Sequence, residues 1–303
     1  MAIEPSSFTY RGHSDKVFAV AWSPNGLSIA SASRDSTVQV WNAATGEVRY
    51  IYRGHANCLL CVAWSPDGQL IASGSTDGVI QVWEALNGRN ISTYRGHVRF
   101  ARSVAWSPDG KYIASGGDYG DSTVQVWEVT TGKTIYTYRN QYRVFAVSWS
   151  TYGRRIASAS FDGSVQIWDA FSGSDVFIYR GHSGPIYAEG WSPDGRYIAS
   201  AGHDTTVQVW NATTGETILT YKGHTGAVKT LAYSPNGRYI VSGGDDARMQ
   251  VWKVDTGSVF FVDDDYSSWI RSVAWSPDGR SIASASDEVV KVTCLPSVPS
   301  SVP

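Results

Sequence analysis

Histidine, serine and aspartate recur together along this 303-residue chain, and these are the residue types of a hydrolytic triad. In the first segment His13, Ser31 and Asp35 precede Trp41, and four further segments repeat the arrangement. A nucleophilic serine needs an exposed, strained position beside an oxyanion hole. Here each serine lies within a run of β-forming residues, and an enzyme has little use for five copies of one site. We therefore interpret these residues as structural, with hydrogen bonds that satisfy buried polar groups.

The segment Cys58-Leu59-Leu60-Cys61 has a spacing that also occurs in redox and metal sites. Residues three apart on a strand point to opposite faces, and the sequence has no second such pair. Cys61 stands where other segments carry a small residue, which favours a packing role over metal binding. The cysteine count is odd, with Cys294 as the third, which fits a reducing compartment or no redox role. We predict no catalytic residue, no metal site and no cofactor.

These residues belong to a segment that recurs every 42 or 43 residues. The seven copies of its Trp-Ser-Pro mark begin at Trp22, Trp64, Trp106, Trp149, Trp191, Tyr233 and Trp275. They fill the chain and leave no room for a second domain. Within a copy, apolar residues alternate with a period of two in short runs separated by Gly, Pro, Asn and Asp, which predicts an all-β repeat protein. In the first copy the predicted strands a to d cover 17–22, 27–33, 37–42 and 47–52, joined by tight turns.

Gly12-His13, Ser31, Asp35 and Trp41 resemble the signature of the WD-repeat β-propeller family. The resemblance covers residues 8 to about 295 and implies a seven-bladed β-propeller of four-stranded antiparallel blades. It also implies a hydrogen-bonded relay of His, Ser, Asp and Trp inside each blade. The positions match in five copies, at His13, Ser31, Asp35, Trp41; His55, Ser73, Asp77, Trp83; His97, Ser115, Asp121, Trp127; His182, Ser200, Asp204, Trp210; and His224, Ser242, Asp246, Trp252.

Two copies depart from this signature. The fourth has Gln141 at the histidine place, and the seventh has Tyr266 and Thr293 at the histidine and tryptophan places. We expect these two blades to be held more by packing than by the relay.

The two ends of the chain complement each other. Copy seven stops after its third strand, and Phe8-Thr9-Tyr10-Arg11-Gly12-His13 copies the end of strand d found elsewhere. An open propeller would leave an unpaired sheet edge. We therefore predict that residues 8–10 pair with 289–292 and close the ring. The predicted organisation is a leader over 1–7, the propeller over 8–295 and a flexible tail over 296–303.

The formal net charge is −2, from 25 Lys and Arg against 27 Asp and Glu. This balance removes any global electrostatic case for nucleic acid, although a local basic patch is compatible with it. Residues 1–10 have neither the basic start nor the apolar run of a signal peptide, and no window approaches a membrane span. We expect a cytoplasmic protein that does not associate with membranes.

Positions that differ between copies are the better guide to a binding surface, because a position identical in every copy serves the blade. The d–a loops and the b–c turns open at one end of the blades, the narrow face, where related propellers commonly dock partners. The predicted partner-binding residues on this face are Lys16, Phe18, Arg34, Phe100, Arg102, Tyr119, Arg143, Phe145, Phe161, Tyr187, His203, Lys229, Trp269 and Arg271. Six are Lys or Arg, against one neighbouring acid, Asp245. Aromatic and arginine residues are enriched at binding hot spots.

The sequence favours a non-enzymatic protein-interaction scaffold that docks an acidic or phosphorylated peptide or protein on the narrow face. Arg102, Arg143 and Arg271 are the predicted contacts to carboxylate or phosphate. We expect a monomeric propeller, either alone or as the adaptor module of a larger signalling protein.

Three alternatives stay open. The same cations and rings would suit nucleic acid. A propeller hydrolase or lyase would need an acid–base cluster, for which this face offers His203 and Asp245. The rings could also cap the inner strands while the cations are solvated.

Three further departures from the repeat concern charged or inserted residues. Glu189 replaces a Val or Leu of strand a, and we expect it to face a wet central channel. Asp263-Asp264-Asp265 replaces Tyr-Arg-Gly, and we interpret the run as a solvated loop. Copy three has two extra residues in its b–c turn, which project Tyr119 from the narrow face.

Overall fold

A computed structural model of the chain describes residues 7–139 and 142–296. The described residues form 28 strands in seven four-stranded antiparallel sheets, so the chain is an all-β, seven-bladed propeller as predicted. Among them there is no helix with the length and apolarity needed to cross a membrane. Gln141, most of the predicted leader and most of the predicted tail lie outside the described residues.

The strands in chain order are β1 (Ser7–Tyr10), β2 (Val17–Trp22), β3 (Ser28–Ser33), β4 (Val38–Asn42), β5 (Val48–Tyr52), β6 (Leu59–Trp64), β7 (Leu70–Ser75), β8 (Ile80–Glu84), β9 (Asn90–Tyr94), β10 (Ala101–Trp106), β11 (Tyr112–Gly117), β12 (Thr123–Glu128), β13 (Thr134–Arg139), β14 (Val144–Trp149), β15 (Arg155–Ser160), β16 (Val165–Asp169), β17 (Phe177–Tyr179), β18 (Ile186–Trp191), β19 (Tyr197–Gly202), β20 (Val207–Asn211), β21 (Thr217–Tyr221), β22 (Val228–Tyr233), β23 (Tyr239–Gly244), β24 (Met249–Lys253), β25 (Val259–Asp263), β26 (Ile270–Trp275), β27 (Ser281–Ser286) and β28 (Val289–Cys294). Blades one to six each take four consecutive strands from β2 onward, in the order a to d.

The first blade shows why these segments form strands and turns. Strand β3 is made of small residues and Ile29, and all six of its residues are buried, because each blade is covered on both faces by its neighbours. The a–b turn closes with a bond of 2.9 Å from the Gly26 amide to the Ser23 carbonyl, and Gly26 has a φ of 73°. A left-handed φ is accessible to glycine without steric penalty. The predicted strand bounds agree with the structure to within one residue.

The ring is closed by β1, which pairs antiparallel with β28 in the sheet of β26 and β27. Phe8 lies opposite Val292 and Tyr10 opposite Val290, so the predicted closure is confirmed. The seventh blade therefore takes its outer strand from one end of the chain and its three inner strands from the other.

A repeated aromatic contact joins neighbouring blades. It lies at the seam, which is the interface between one blade and the next. Tyr52 of strand d in blade one stacks on Trp83 of strand c in blade two at 4.2 Å, and its hydroxyl donates to Gln81 Oε1 at 2.6 Å. Tyr10, Tyr94, Tyr138, Tyr179 and Tyr221 make the same stacked contact with the following blade. Each pair buries two large rings in an offset geometry, so these seams combine apolar burial with one polar bond.

The seam between blades six and seven replaces this contact with an ion pair. Asp263 takes the place of the tyrosine, and the residues facing it are Lys291 and Thr293 instead of Gln and Trp. Lys291 Nζ lies 2.8 Å from Asp263 Oδ2, and only 8% of Asp263 is exposed. The interpretation of 263–265 as a solvated run is therefore wrong for Asp263, because Lys291 neutralises it inside the seam. Asp264 and Asp265 are exposed.

The predicted relay is complete in blades one, three, five and six. In blade one His13 Nδ1 lies 2.8 Å from Asp35 Oδ2, His13 Nε2 lies 2.8 Å from Ser31 Oγ, and Trp41 Nε1 donates to Ser31 Oγ at 3.1 Å. The serine is fully buried, so this network satisfies polar groups inside the blade. The bond with histidine holds the pKa of the Asp35 carboxyl far below its usual range, against the opposing effect of burial.

Blade two corrects the prediction of a fifth complete relay. His55 still contacts Ser73 at 2.8 Å, but His55 Nδ1 is buried without a hydrogen-bond partner. Asp77 instead accepts a bond of 2.9 Å from the Asn57 amide, which competes for the carboxylate at the entrance to the blade. Burial lowers the pKa of His55 to about 4.

Blade seven lacks the relay, as predicted, and has polar contacts of another kind. The Tyr266 hydroxyl lies 2.7 Å from Ser284 Oγ, in the place that histidine Nε2 takes elsewhere. Burial raises the pKa of this phenol above its usual value.

The prediction that Glu189 faces a wet central channel is wrong. Glu189 is only 8% exposed and lies in the seam between blades four and five, because its position on strand a points toward the preceding blade. Ser148 Oγ donates to Glu189 Oε2 at 2.6 Å, whereas Oε1 is buried without a partner. Burial raises the pKa of Glu189 to about 8, and the bond from Ser148 offsets this only in part.

We expect Glu189 to make the protein less stable as the pH rises. The folded-state pKa exceeds the ordinary value of 4.5, so the folded chain binds more protons than the unfolded chain between these values. The free energy of unfolding should therefore fall from about pH 4.5 to about pH 8, by roughly 3 kcal/mol at pH 7. Chemical denaturation of the wild type and of Glu189→Gln at several pH values tests this. A variant with the same pH dependence as the wild type would contradict it.

Candidate functional site

Backbone bonds bring the d–a loops and the b–c turns together at the narrow face. The amide of Arg34 in a b–c turn donates to the carbonyl of Lys16 before strand a at 2.8 Å. The same bond joins Thr76 to Cys58, Phe161 to Arg143, His203 to Pro185 and Asp245 to Ala227. The structure thus places the predicted residues of both segments at one end of the propeller.

The second residue of strand a in each blade points into the central channel. Its neighbour Val17 is fully buried in the seam, and since side chains alternate along a strand, Phe18 turns to the channel instead. Together with Trp269 these residues line a cavity of about 280 Å³, the channel mouth, formed by Phe18, Leu60, Arg102, Phe145, Tyr187, Lys229, Trp269 and Arg271. Seven of these eight are among the predicted partner-binding residues; Leu60 was left out of that set because it is neither aromatic nor charged.

The predicted ratio of six cations to one acid is wrong, because three carboxylates lie among these cations. Arg143 Nε lies 2.5 Å from Asp118 Oδ1, and Lys229 Nζ lies 3.2 Å from Asp245 Oδ2. Arg34 and Asp15 form a looser, exposed pair at 3.7 Å. Asp118 was overlooked because it belongs to the two-residue insertion of copy three, which has no counterpart in the other copies.

Arg143 lies at the centre of an aromatic cluster. Its guanidinium carbon is 5.3 Å from the ring centre of Tyr119, 5.6 Å from Phe145 and 5.7 Å from Phe161. The bond with Asp118 raises the pKa of Arg143. One carboxylate and three rings surround Arg143, so its charge is already paired within the chain. Arg143 therefore holds the surfaces of blades three and four together and is not a free cation.

Arg102 and Arg271 differ from Arg143 because neither has a carboxylate partner within the described residues. Arg102 lies 5.9 Å from the ring centre of Phe145, and Arg271 lies 5.5 Å from Phe18 and 5.7 Å from Trp269. Arg271 Nε is buried without a hydrogen bond. Burial lowers the pKa of Arg102, and the charges of Arg143 and Arg271 lower it further, whereas Asp118 raises it.

The remaining predicted residues lie around the channel mouth. Tyr119, Phe161 and Trp269 expose 59%, 45% and 51% of their surface, and Lys16, Arg34 and His203 are also exposed. Phe100 is half-buried with a φ of 33°, a backbone region that large side chains seldom adopt. No hydrogen bond or ion pair among the described residues joins His203 to Asp245, whose carboxylate pairs with Lys229.

A second concavity lies on the outer side of blades five and six. This groove of about 1010 Å³ is lined by Tyr197, Val209, Ile218, Gly237, Arg238, Tyr239, Lys253, Val254, Asp255 and Phe260. It is larger than the channel mouth, but its lining combines two cations with one carboxylate. Among the described lining residues, Ile218 is the one large apolar side chain that is exposed. Its charges and its exposed apolar side chain make this region a suitable control for a binding test on the narrow face.

Comparison with known proteins agrees with the architecture. The WD40 family model, described as WD domain, G-beta repeat, matches residues 5–42, 46–84, 88–128, 132–169, 173–211, 215–253 and 259–293. A stretch of 30 residues is 53% identical to a Nematostella vectensis protein named "Probable cytosolic iron-sulfur protein assembly protein CIAO1 homolog". This stretch covers 10% of the chain and 9% of that relative.

Proposed function

Because the chain belongs to the WD40 family of WD-domain, G-beta repeat proteins, we propose that it is a non-enzymatic scaffold that docks an acidic or phosphorylated protein partner on its narrow face. Propellers of this family generally serve as protein-interaction scaffolds and are typically not enzymes. The specific proposal is the face and the chemistry of the partner.

The observation that carries this proposal is the concentration of exposed rings and cations at one end of the propeller. Tyr119, Phe161 and Trp269 expose about half of their surface on the same face as the exposed Lys16 and Arg34. Exposed apolar side chains grouped with cations are typical of contact surfaces, and the cations favour an acidic partner.

We further propose a cytoplasmic setting and a role as an adaptor within a larger complex. The Nematostella relative is named as a cytosolic assembly protein, which is compatible with this setting. The matched stretch of 30 residues is shorter than one repeat, so it supports the family relationship and does not identify the partner.

Paired surface variants test the proposal. The narrow-face variant is Lys16→Glu, Phe161→Ala, Trp269→Ala, and the comparison variant on the outer side is Lys253→Glu, Ile218→Ala, Val259→Ala. All six side chains are exposed, so both variants should melt within a few degrees of the wild type. We expect the narrow-face variant alone to lose a protein that the wild type retains from a nuclease-treated lysate, as identified by mass spectrometry.

Other results would refute the proposal. Equal retention on the two variants, or loss only on the outer variant, would remove the narrow face as the docking site. Retention that disappears with nuclease treatment and falls steeply with salt would favour nucleic acid instead.

A further inference from the structure

We propose that the channel mouth binds one dianionic phosphate group end-on, between Arg102 and Arg271, with the phosphate carried on a side chain of the partner. The carrier rests on the proposed function, whereas the anion site is a property of this chain alone. Of the three arginines predicted to contact carboxylate or phosphate, this assignment keeps Arg102 and Arg271, which have no carboxylate partner within the described residues, and leaves out Arg143, which pairs with Asp118.

The first support is the state of the two guanidinium groups. Among residues 7–139 and 142–296, neither has an ion pair, and their contacts are with rings. Arg271 Nε is buried and makes no hydrogen bond, and the two charges are close enough to affect each other. Both arginines are partly buried, and a cation shielded from water without an anionic partner is unfavourable. Two such cations beside one cavity are the arrangement expected for a site that receives an anion.

The second support is the charge that this site requires. A single carboxylate would neutralise one arginine and leave the other unpaired. A phosphate monoester carries about −1.5 to −2 at pH 7 and offers three strong acceptor oxygens, which suits two guanidinium forks at once. Lys229, held over the Tyr187 ring at 3.7 Å, lies at the wall but is paired with Asp245, so the two arginines supply the unpaired charge.

The third support is size and lining. The cavity of about 280 Å³ lies at the lower limit of ligand sites, so it admits the end of one side chain. Phe18, Phe145 and Trp269 supply apolar walls for the part of the side chain that carries the phosphate. No carboxylate lies among the described lining residues to repel it.

Binding of phenyl phosphate and of benzoate, measured by isothermal titration calorimetry, tests the site directly. We expect the wild type to bind phenyl phosphate at least about tenfold more tightly than benzoate. Affinity for phenyl phosphate should rise between pH 5 and 7, because its second ionisation lies near pH 6 and deprotonation supplies the second charge. Benzoate binding should change little over this range, because its one charge is present throughout.

The test variant is Arg102→Gln, Arg271→Gln, and its control is Arg49→Gln, Arg53→Gln, which removes the same charge from exposed positions of strand d and its loop. We expect the test variant to lose about tenfold or more in affinity for phenyl phosphate and the control to stay within about twofold. Arg271→Lys, which keeps the charge but loses the fork, should be intermediate, and it provides the measurement if the double variant fails to fold.

The site is refuted if benzoate and phenyl phosphate bind equally, or if the two double variants behave alike. Should phenyl phosphate bind nowhere while the narrow-face variant still loses its protein, the scaffold proposal stands without a phosphate site. Failure of both experiments would refute both proposals.

Discussion

Removal of residues 1–12 is expected to lower the melting temperature by about 10 °C or more, because it deletes the outer strand of blade seven. Strand β28 would lose the backbone bonds that pair it with β1 and would become an unpaired edge. The deletion also removes Tyr10, which is 4% exposed and stacks on Trp41 at 4.3 Å across the seam to blade one. The measurement is thermal unfolding followed by circular dichroism.

Removal of residues 1–6 alone keeps β1 and is the matched control. Two point variants separate the contributions within β1. Tyr10→Ala should cost about 3 kcal/mol by removing the stacked ring, whereas Tyr10→Phe should cost only about 1 kcal/mol by removing the bond to Gln39. If removal of residues 1–12 left the melting curve of the wild type unchanged, closure by β1 would not stabilise the ring.

Lys291→Met is expected to destabilise the chain by about 3 kcal/mol, because it leaves the Asp263 carboxylate buried and without its cation. Asp263 would keep only uncharged donors, among them Thr293 Oγ1 at 3.4 Å and the Asp265 amide at 3.2 Å. Lys222→Met is the control, since this lysine follows the last residue of strand d in blade five and is exposed. Urea denaturation of the three proteins gives the comparison.

A second test at the seam between blades six and seven replaces the whole ion pair instead of removing one partner. Asp263→Tyr, Lys291→Gln, Thr293→Trp would restore the stacked Tyr–Trp contact of the other six seams, in which the ring centres lie 4.2 to 4.5 Å apart. We expect this triple variant to be at least as stable as the wild type, because a well-packed apolar set often replaces a buried ion pair without loss. A Lys291→Met variant within about 0.5 kcal/mol of the wild type would contradict the role given to the ion pair.

The strands, their turns and the closure of the ring were predictable because each is repeated. Six copies supply a strand d of their own, and five of these end in Tyr-Arg or Tyr-Lys, so the same ending at Tyr10-Arg11 could be assigned to the blade that lacked a strand d. Comparison of the copies also placed Phe18 and its equivalents on the narrow face, and the structure shows that they line the channel mouth there.

Three of the errors concern residues whose partners lie in a neighbouring blade; the incomplete relay of blade two does not, because Asn57 and Asp77 belong to the same copy. Glu189 is held by Ser148 and Asp263 by Lys291, and each pair joins two neighbouring blades. Aligning the copies compares equivalent positions, whereas the physical contacts are between different positions across a seam. A signal was present, since each pair departs from the repeat at both of its positions. The ion pair between Arg143 and Asp118 was not predicted for a related reason. Asp118 lies in the insertion of copy three, so it has no equivalent position in the other copies.

The family repeat and the blade are offset by one strand, since each match begins before a strand d and ends with the strand c of the next blade. A genetic event that adds or deletes one repeat would therefore leave β1 and β28 in place, each still able to pair with the other. Copy number could change without any change at the join between the two ends. The number of blades then depends on the angle between adjacent blades. The pairing of β1 with β28 is the same for any number.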